Sequence, residues 1–127
     1  MKKSVSILLV MAAVMMLSVP AFAAGWGYDS YTGTNYWYYD NGTIAVNSWI
    51  HDGIEWSAVD MQGDMLVNEW VLDSTGWSYV DANGYQYRNE TSYVPYCAMY
   101  YDMTTGMHII SGQPDGYYSF DSNGYNR

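Results

Sequence analysis

The chain has 127 residues, with 13 Asp and Glu against 4 Lys and Arg and a formal net charge of −9. Lys2 and Lys3 lie in a leader that is expected to be removed, so residues 24–127 keep only Arg88 and Arg127 as cations and carry a formal charge of −11. Such a chain cannot assemble the Lys/Arg cluster that nucleic acid or an anionic membrane surface demands, and its field favours cationic or neutral ligands.

Residues 1–23 have the pattern of a secretory signal peptide: Lys2 and Lys3, an apolar run from Val5 to Leu17, and an Ala21-Phe22-Ala23 cleavage site. The run is too short to span a membrane, so no membrane insertion is expected of the secreted form. Residues 24–127 are expected to form a single domain. They hold 13 Ile, Leu and Val plus Phe120, a proportion that usually accompanies disorder at this charge. Six Trp and 15 Tyr oppose that reading, because disordered chains are poor in aromatics. The expected core is a stack of rings.

Gly25 to Thr34 has no helical period and predicts an irregular or frayed entry strand. Tyr36 to Gly42 reads as an aromatic strand ending in Asp40-Asn41-Gly42, a turn signal because Asn and Gly tolerate positive φ. Two fuller units follow. Moved along by one period, Val46, Asn47, Trp49, Asp52, Trp56, Ser57, Val59, Asp60 and Gly63 fall on Val67, Asn68, Trp70, Asp73, Trp77, Ser78, Val80, Asp81 and Gly84. A repeat this short is one supersecondary unit that must stack on its neighbours to bury a core. Each copy predicts a hairpin whose two Trp share a face, turning at Asp52-Gly53 or Asp73-Ser74-Thr75-Gly76. Period-2 alternation sets Trp77 and Tyr79 on one face and Ser78 on the other.

Beyond Gly84 the pattern weakens: Thr91 stands where a Trp is due, and Pro95 limits pairing to a sheet edge. The phase returns with Tyr100-Tyr101-Asp102 before Gly106, which falls almost one period after Gly84, and again with Tyr117 to Gly124. The expected fold class is all-β, a short solenoid of stacked β-hairpin repeats of about 21 residues with atypical end units acting as caps.

The spacing of Trp49, Asp52, Gly53, Trp56, Asp60, Gly63 and Met65 resembles the choline-binding and cell-wall-binding repeats of Gram-positive surface proteins and phage lysins. Trp37 to Gly42 is similar to a shortened form of the same motif. The resemblance implies hairpins with ligand cages made by two Trp of one hairpin and a Tyr of the next. Carried over by position, one cage is Trp49, Trp56 and Tyr79 with Met65 nearby, and a second is Trp70, Trp77 and Tyr100. Ala58 stands where Tyr79 stands one repeat later, so a cage around Trp37 lacks a wall. Ring faces would replace the water of a quaternary ammonium or stack on a neutral glucan, with several weak sites acting together.

Each of these Trp has an alternative role as core alone. The D-x-N-G sequences read as hairpin turns; none continues into a calcium-binding loop with a distal Glu. Cys97 is alone, which excludes an intramolecular disulfide; it reads as a small semi-buried residue, with intermolecular pairing or a reactive thiol as alternatives. An enzyme would require Cys97 and His108 to meet in a cleft. The expectation is a non-catalytic module, without metal or cofactor, that is secreted and held on a Gram-positive cell wall. Its partner would be surface polysaccharide, either a choline-substituted polymer or a neutral glucan. A structural or self-associating surface protein with an all-core set of aromatics is the alternative.

Overall fold

A computed structural model describes residues 24–127; the signal peptide expected at residues 1–23 lies outside the described residues. Ten strands are present and no helix among the described residues. β1 (Gly25–Asp29) pairs with β2 (Thr34–Tyr38), β3 (Ser48–His51) with β4 (Trp56–Val59), and β5 (Glu69–Leu72) with β6 (Trp77–Val80), all antiparallel. The entry segment is therefore a complete hairpin. Its turn lies at Asp29–Gly33, where the Gly33 amide donates to the Asp29 carbonyl, while Asp40-Asn41-Gly42 turns the linker that follows.

The turns are built by carboxylates at fixed phase. Asp60 Oδ1 accepts from the Gln62 and Asp64 amides, and Asp81 and Asp121 accept from the corresponding amides in their own turns. Asn47, Asn68 and Asn89 recur at the repeat spacing, each with positive φ. Their amides reach the carbonyls of Asp60, Asp81 and Asp121. The first two of these spans are equal in length and the third is more than twice as long, so the fourth unit holds an insertion that its predecessors lack.

The extra residues form a hairpin of their own, which corrects the reading of Gly106 as a repeat boundary. β7 (Glu90–Val94) pairs with β10 (Gly116–Phe120) to make the fourth unit, and β8 (Cys97–Asp102) with β9 (Met107–Gln113) is inserted between them. Gly106 closes the β8–β9 turn on Asp102. The inserted hairpin pairs β8 in parallel with β5, giving a four-stranded sheet ordered β6-β5-β8-β9.

Successive units are joined by a recurrent contact. The residue two places after each closing glycine bridges back to its own strand: Ile44 to Tyr38, Met65 to Val59, Gln86 to Val80 and Asn126 to Phe120. In the first three of these the side chain lies on the closing glycine of the next unit. A Cβ on Gly84 would stand 2.7 Å from Met65 Sδ, and its φ of +81° is itself a glycine conformation.

The core runs through the units in three clusters. Ala45, Ile50 and Val59 form the first, flanked by Trp26 and Trp37. Ala58, Leu66, Val71, Val80 and Tyr101 form the second. Only the third, with Trp70, Tyr79, Val94 and Phe120, is dominated by rings. Rings thus dominate only one end of the core; at the other a Trp26–Trp37 pair, with centroids 5.4 Å apart, flanks an aliphatic cluster.

Candidate functional site

Trp49 faces Ala58 across its hairpin and Trp56 faces His51, so both indoles lie on one face at diagonal positions. Both are half-buried. They line a cavity of about 290 Å³ together with Gln86, Arg88, Asn123 and Tyr125. The walls are tethered. Trp49 Nε1 and the Tyr125 hydroxyl both donate to Asp73 Oδ2, at 2.9 and 2.7 Å. Burial works to raise the pKa of Asp73, and the bonds from Tyr125, Trp49 and the Thr75 and Gly76 amides outweigh it, leaving the carboxyl below its ordinary range.

Tyr79 and Met65 take no part in this cavity. Tyr79 is the cross-strand partner of Trp70, 2% exposed, and packs on Trp70 and Tyr87 with ring centroids 5.4 and 5.5 Å away. Burial pushes its hydroxyl up to about 12. Met65 lies over Gly84 instead. The tyrosine that completes the first cavity is Tyr125, from the fourth unit. Its signal in the sequence is its place directly after the closing Gly124.

Trp70, Trp77 and Tyr100 do come together, although by the parallel pairing of β5 with the inserted β8, which sets Trp70 opposite Tyr100. Trp77 meets Tyr100 edge-on at 4.7 Å and Trp70 at 6.3 Å. Trp70 is only 3% exposed and serves the core, touching Tyr118 and Phe120 as well. A smaller cavity of about 170 Å³ lies here, lined by Trp70, Trp77, Gln113, Tyr118 and Asn126. Trp70 Nε1 is buried without an acceptor. The equivalent Trp49 finds its acceptor on the turn Asp of the next hairpin; after Trp70 the corresponding position is Val94, at the end of β7.

One occupant of the first cavity was not read from the sequence. The Arg88 guanidinium carbon lies 5.0 Å from the Trp56 ring centroid. Its Nε donates to Gln86 Oε1 at 2.7 Å and Nη1 to the Ser122 carbonyl at 3.0 Å. Gln86 is itself buried and donates through Nε2 to Ser78 Oγ, so a chain of bonds fixes the arginine to the interior. The equivalent Ser57 has no such donor, since Met65 replaces Gln86 there, and Ser57 Oγ is left without a partner.

Cys97 and His108 do not form a hydrogen-bonded pair. The thiol donates to the Asn68 carbonyl. The imidazole stands opposite Tyr101, with Nδ1 2.7 Å from Glu69 Oε2 and Nε2 3.2 Å from Asp60 Oδ2. His51 packs on Trp56 at 4.7 Å. Among the described residues no group of His, Cys, Asp and Glu is arranged to hold a metal ion.

Antiparallel hairpins of fixed phase, with tryptophans between them and Asp-built turns, define an all-β aromatic repeat protein of the choline-binding fold. The choline binding domain of Spr1274 in Streptococcus pneumoniae is similar over 83% of this chain and 95% of its own, at 22% identity and a TM-score of 0.56. An alternansucrase solved in complex with isomaltotriose is similar over 82% of this chain and 8% of its own, at 21% identity and a TM-score of 0.53. No protein-family model and no curated protein sequence matches the chain.

Proposed function

We propose that residues 24–127 form a secreted, non-catalytic module, a short solenoid of hairpins, that attaches to cell-surface polysaccharide of a Gram-positive bacterium. The fold neighbours support the all-β hairpin scaffold; the ligand reading rests on the cavity at Trp49 and Trp56. Two half-exposed indoles there, one tethered to Asp73, open beside the Asn123 amide and the Tyr125 ring. Indole faces stack on the apolar faces of pyranose rings while amides take hydroxyls. Of the two expected ligand chemistries, the sugar is favoured over a quaternary ammonium here, because Trp56 already carries the Arg88 cation. The smaller cavity at Trp77 is a second subsite on this reading, with the Gln113 and Asn126 amides beside the indole. Two weak sites then act together through effective concentration.

The test is co-sedimentation with purified Gram-positive cell walls. Wild type should pellet with the walls, and Trp56→Ala together with Trp77→Ala should lower retention at least tenfold while the fold is kept by circular dichroism. Equal retention of wild type and double variant would overturn the reading. The self-associating alternative draws on the burial of Trp70 and Tyr79, and would instead show a concentration-dependent mass by light scattering with no retention on walls.

A further inference from the structure

We infer that Arg88 makes the Trp49–Trp56 cavity a receptor for a carboxylate-bearing sugar, a uronic acid unit set among neutral sugars. The inference rests on the polysaccharide reading above and names the chemistry of that same site.

The argument starts from what Arg88 lacks. Residues 24–127 contain 13 carboxylic side chains and two arginines. Arg127 takes Asp121 as its ion-pair partner, whereas among the described residues no carboxylate lies within ion-pair distance of the Arg88 guanidinium. In so acidic a chain an unpaired guanidinium is a conspicuous arrangement. Its neutral partners, the Gln86 amide and the Ser122 carbonyl, use two of its five N–H groups and hold it in place. The remaining N–H groups have no acceptor among the described residues. The one carboxylate that holds the cavity walls, Asp73, is occupied by four donors: Trp49, Tyr125 and the amides of Thr75 and Gly76.

A second cation is disfavoured by the same geometry. The Arg88 guanidinium carbon already lies 5.0 Å from the Trp56 ring centroid, so a quaternary ammonium drawn to that indole would meet a fixed like charge. A carboxylate in that place gains the planar, two-pronged pairing that guanidinium offers, with the sugar ring against the indoles. The chain's net acidity sets the density of such groups. Beyond about 8 Å it is screened at physiological ionic strength, so one carboxylate among neutral sugars is accommodated and a continuous polyanion is not.

The test is isothermal titration of the full chain with cellobiuronic acid, with cellobiose, which has a hydroxymethyl group in place of the carboxylate, and with choline chloride, all at matched ionic strength. Cellobiuronic acid should bind at least tenfold more tightly than cellobiose, and Arg88→Met should abolish that preference while Arg88→Lys restores part of it. Arg88→Met should also gain a choline response that Trp56→Ala removes. Equal binding of the two sugars, or choline binding by wild type as tight as by Arg88→Met, would overturn the role of Arg88 and leave a wall-binding result intact. No binding of any of the three, together with no retention on walls, would overturn both readings. Thermal unfolding of each variant shows that the fold is kept.

Discussion

Replacing His108 by Gln tests how the inserted hairpin is held. The imidazole lies between Glu69 on β5 and Asp60 just past β4, carboxylates that are 12% and 7% exposed, and is itself 34% exposed. Burial works to lower the pKa of His108; its bonds to Glu69 and Asp60 and their charges outweigh that and raise it above 6.5. Burial raises Glu69 too, with His108 acting in the opposite direction, and burial and Asp60 raise the neighbouring Asp64. A group whose pKa is raised by folding contributes stability that is complete below its unfolded value and is lost as pH rises through its folded value. The window for His108 therefore opens at 6.5 and extends upward. Two charge-assisted contacts, discounted because a third of the ring meets solvent, contribute about 1–2 kcal/mol. For a domain of this size that is roughly 5–10 °C in Tm. Thermal unfolding followed by tryptophan fluorescence at pH 6 and pH 9 should show His108→Gln well below wild type at pH 6 and near it at pH 9. Both proteins share every other titrating group, so the difference isolates the imidazole. An equal gap at the two pH values would refute the charge argument.

Gly84→Ala should cost about 2 kcal/mol in urea unfolding, from positive φ and from the clash with Met65; Met65→Ala in the same chain should recover only the clash, and full recovery would show that the backbone carries no strain. Tyr101→Phe removes a buried hydroxyl that donates to Asn47 Oδ1 at 2.6 Å. It should destabilise by about 1 kcal/mol, an outcome checked by the same unfolding and contradicted by an unchanged midpoint.

The hairpins of residues 46–84 were legible because the repeat period fixes several things at once: the Trp positions, the Asn that precedes each hairpin and the Asp at each turn. The insertion was hidden by coincidence. Tyr100-Tyr101-Asp102 and Gly106 imitate the local turn chemistry at almost the repeat's own phase, and only the pairing of β7 with β10 reveals that the true fourth unit closes at Gly124. The cavity at Trp49 was half legible for a related reason. Sequence position assigns the third wall to the adjacent repeat, where Tyr79 is consumed by its own cross-strand partner Trp70. The cavity reaches past that repeat to Tyr125. Arg88 gave no periodic signal, since its counterpart one repeat earlier is Val67, yet it is one of only two Lys or Arg side chains in residues 24–127.

The inserted hairpin also governs how the chain comes together and falls apart. A row of repeats that touch only their neighbours can fray from either end, one unit at a time. Here β8 pairs with β5, His108 reaches Asp60, the Tyr101 hydroxyl reaches Asn47, and the Leu72 carbonyl accepts from the Met103 amide. One excursion from the fourth unit thus fastens the second and third directly. β7 meanwhile pairs with β10 across the whole excursion, a long-range closure that is expected to come late in folding. The second, third and fourth units are therefore expected to open together rather than one at a time.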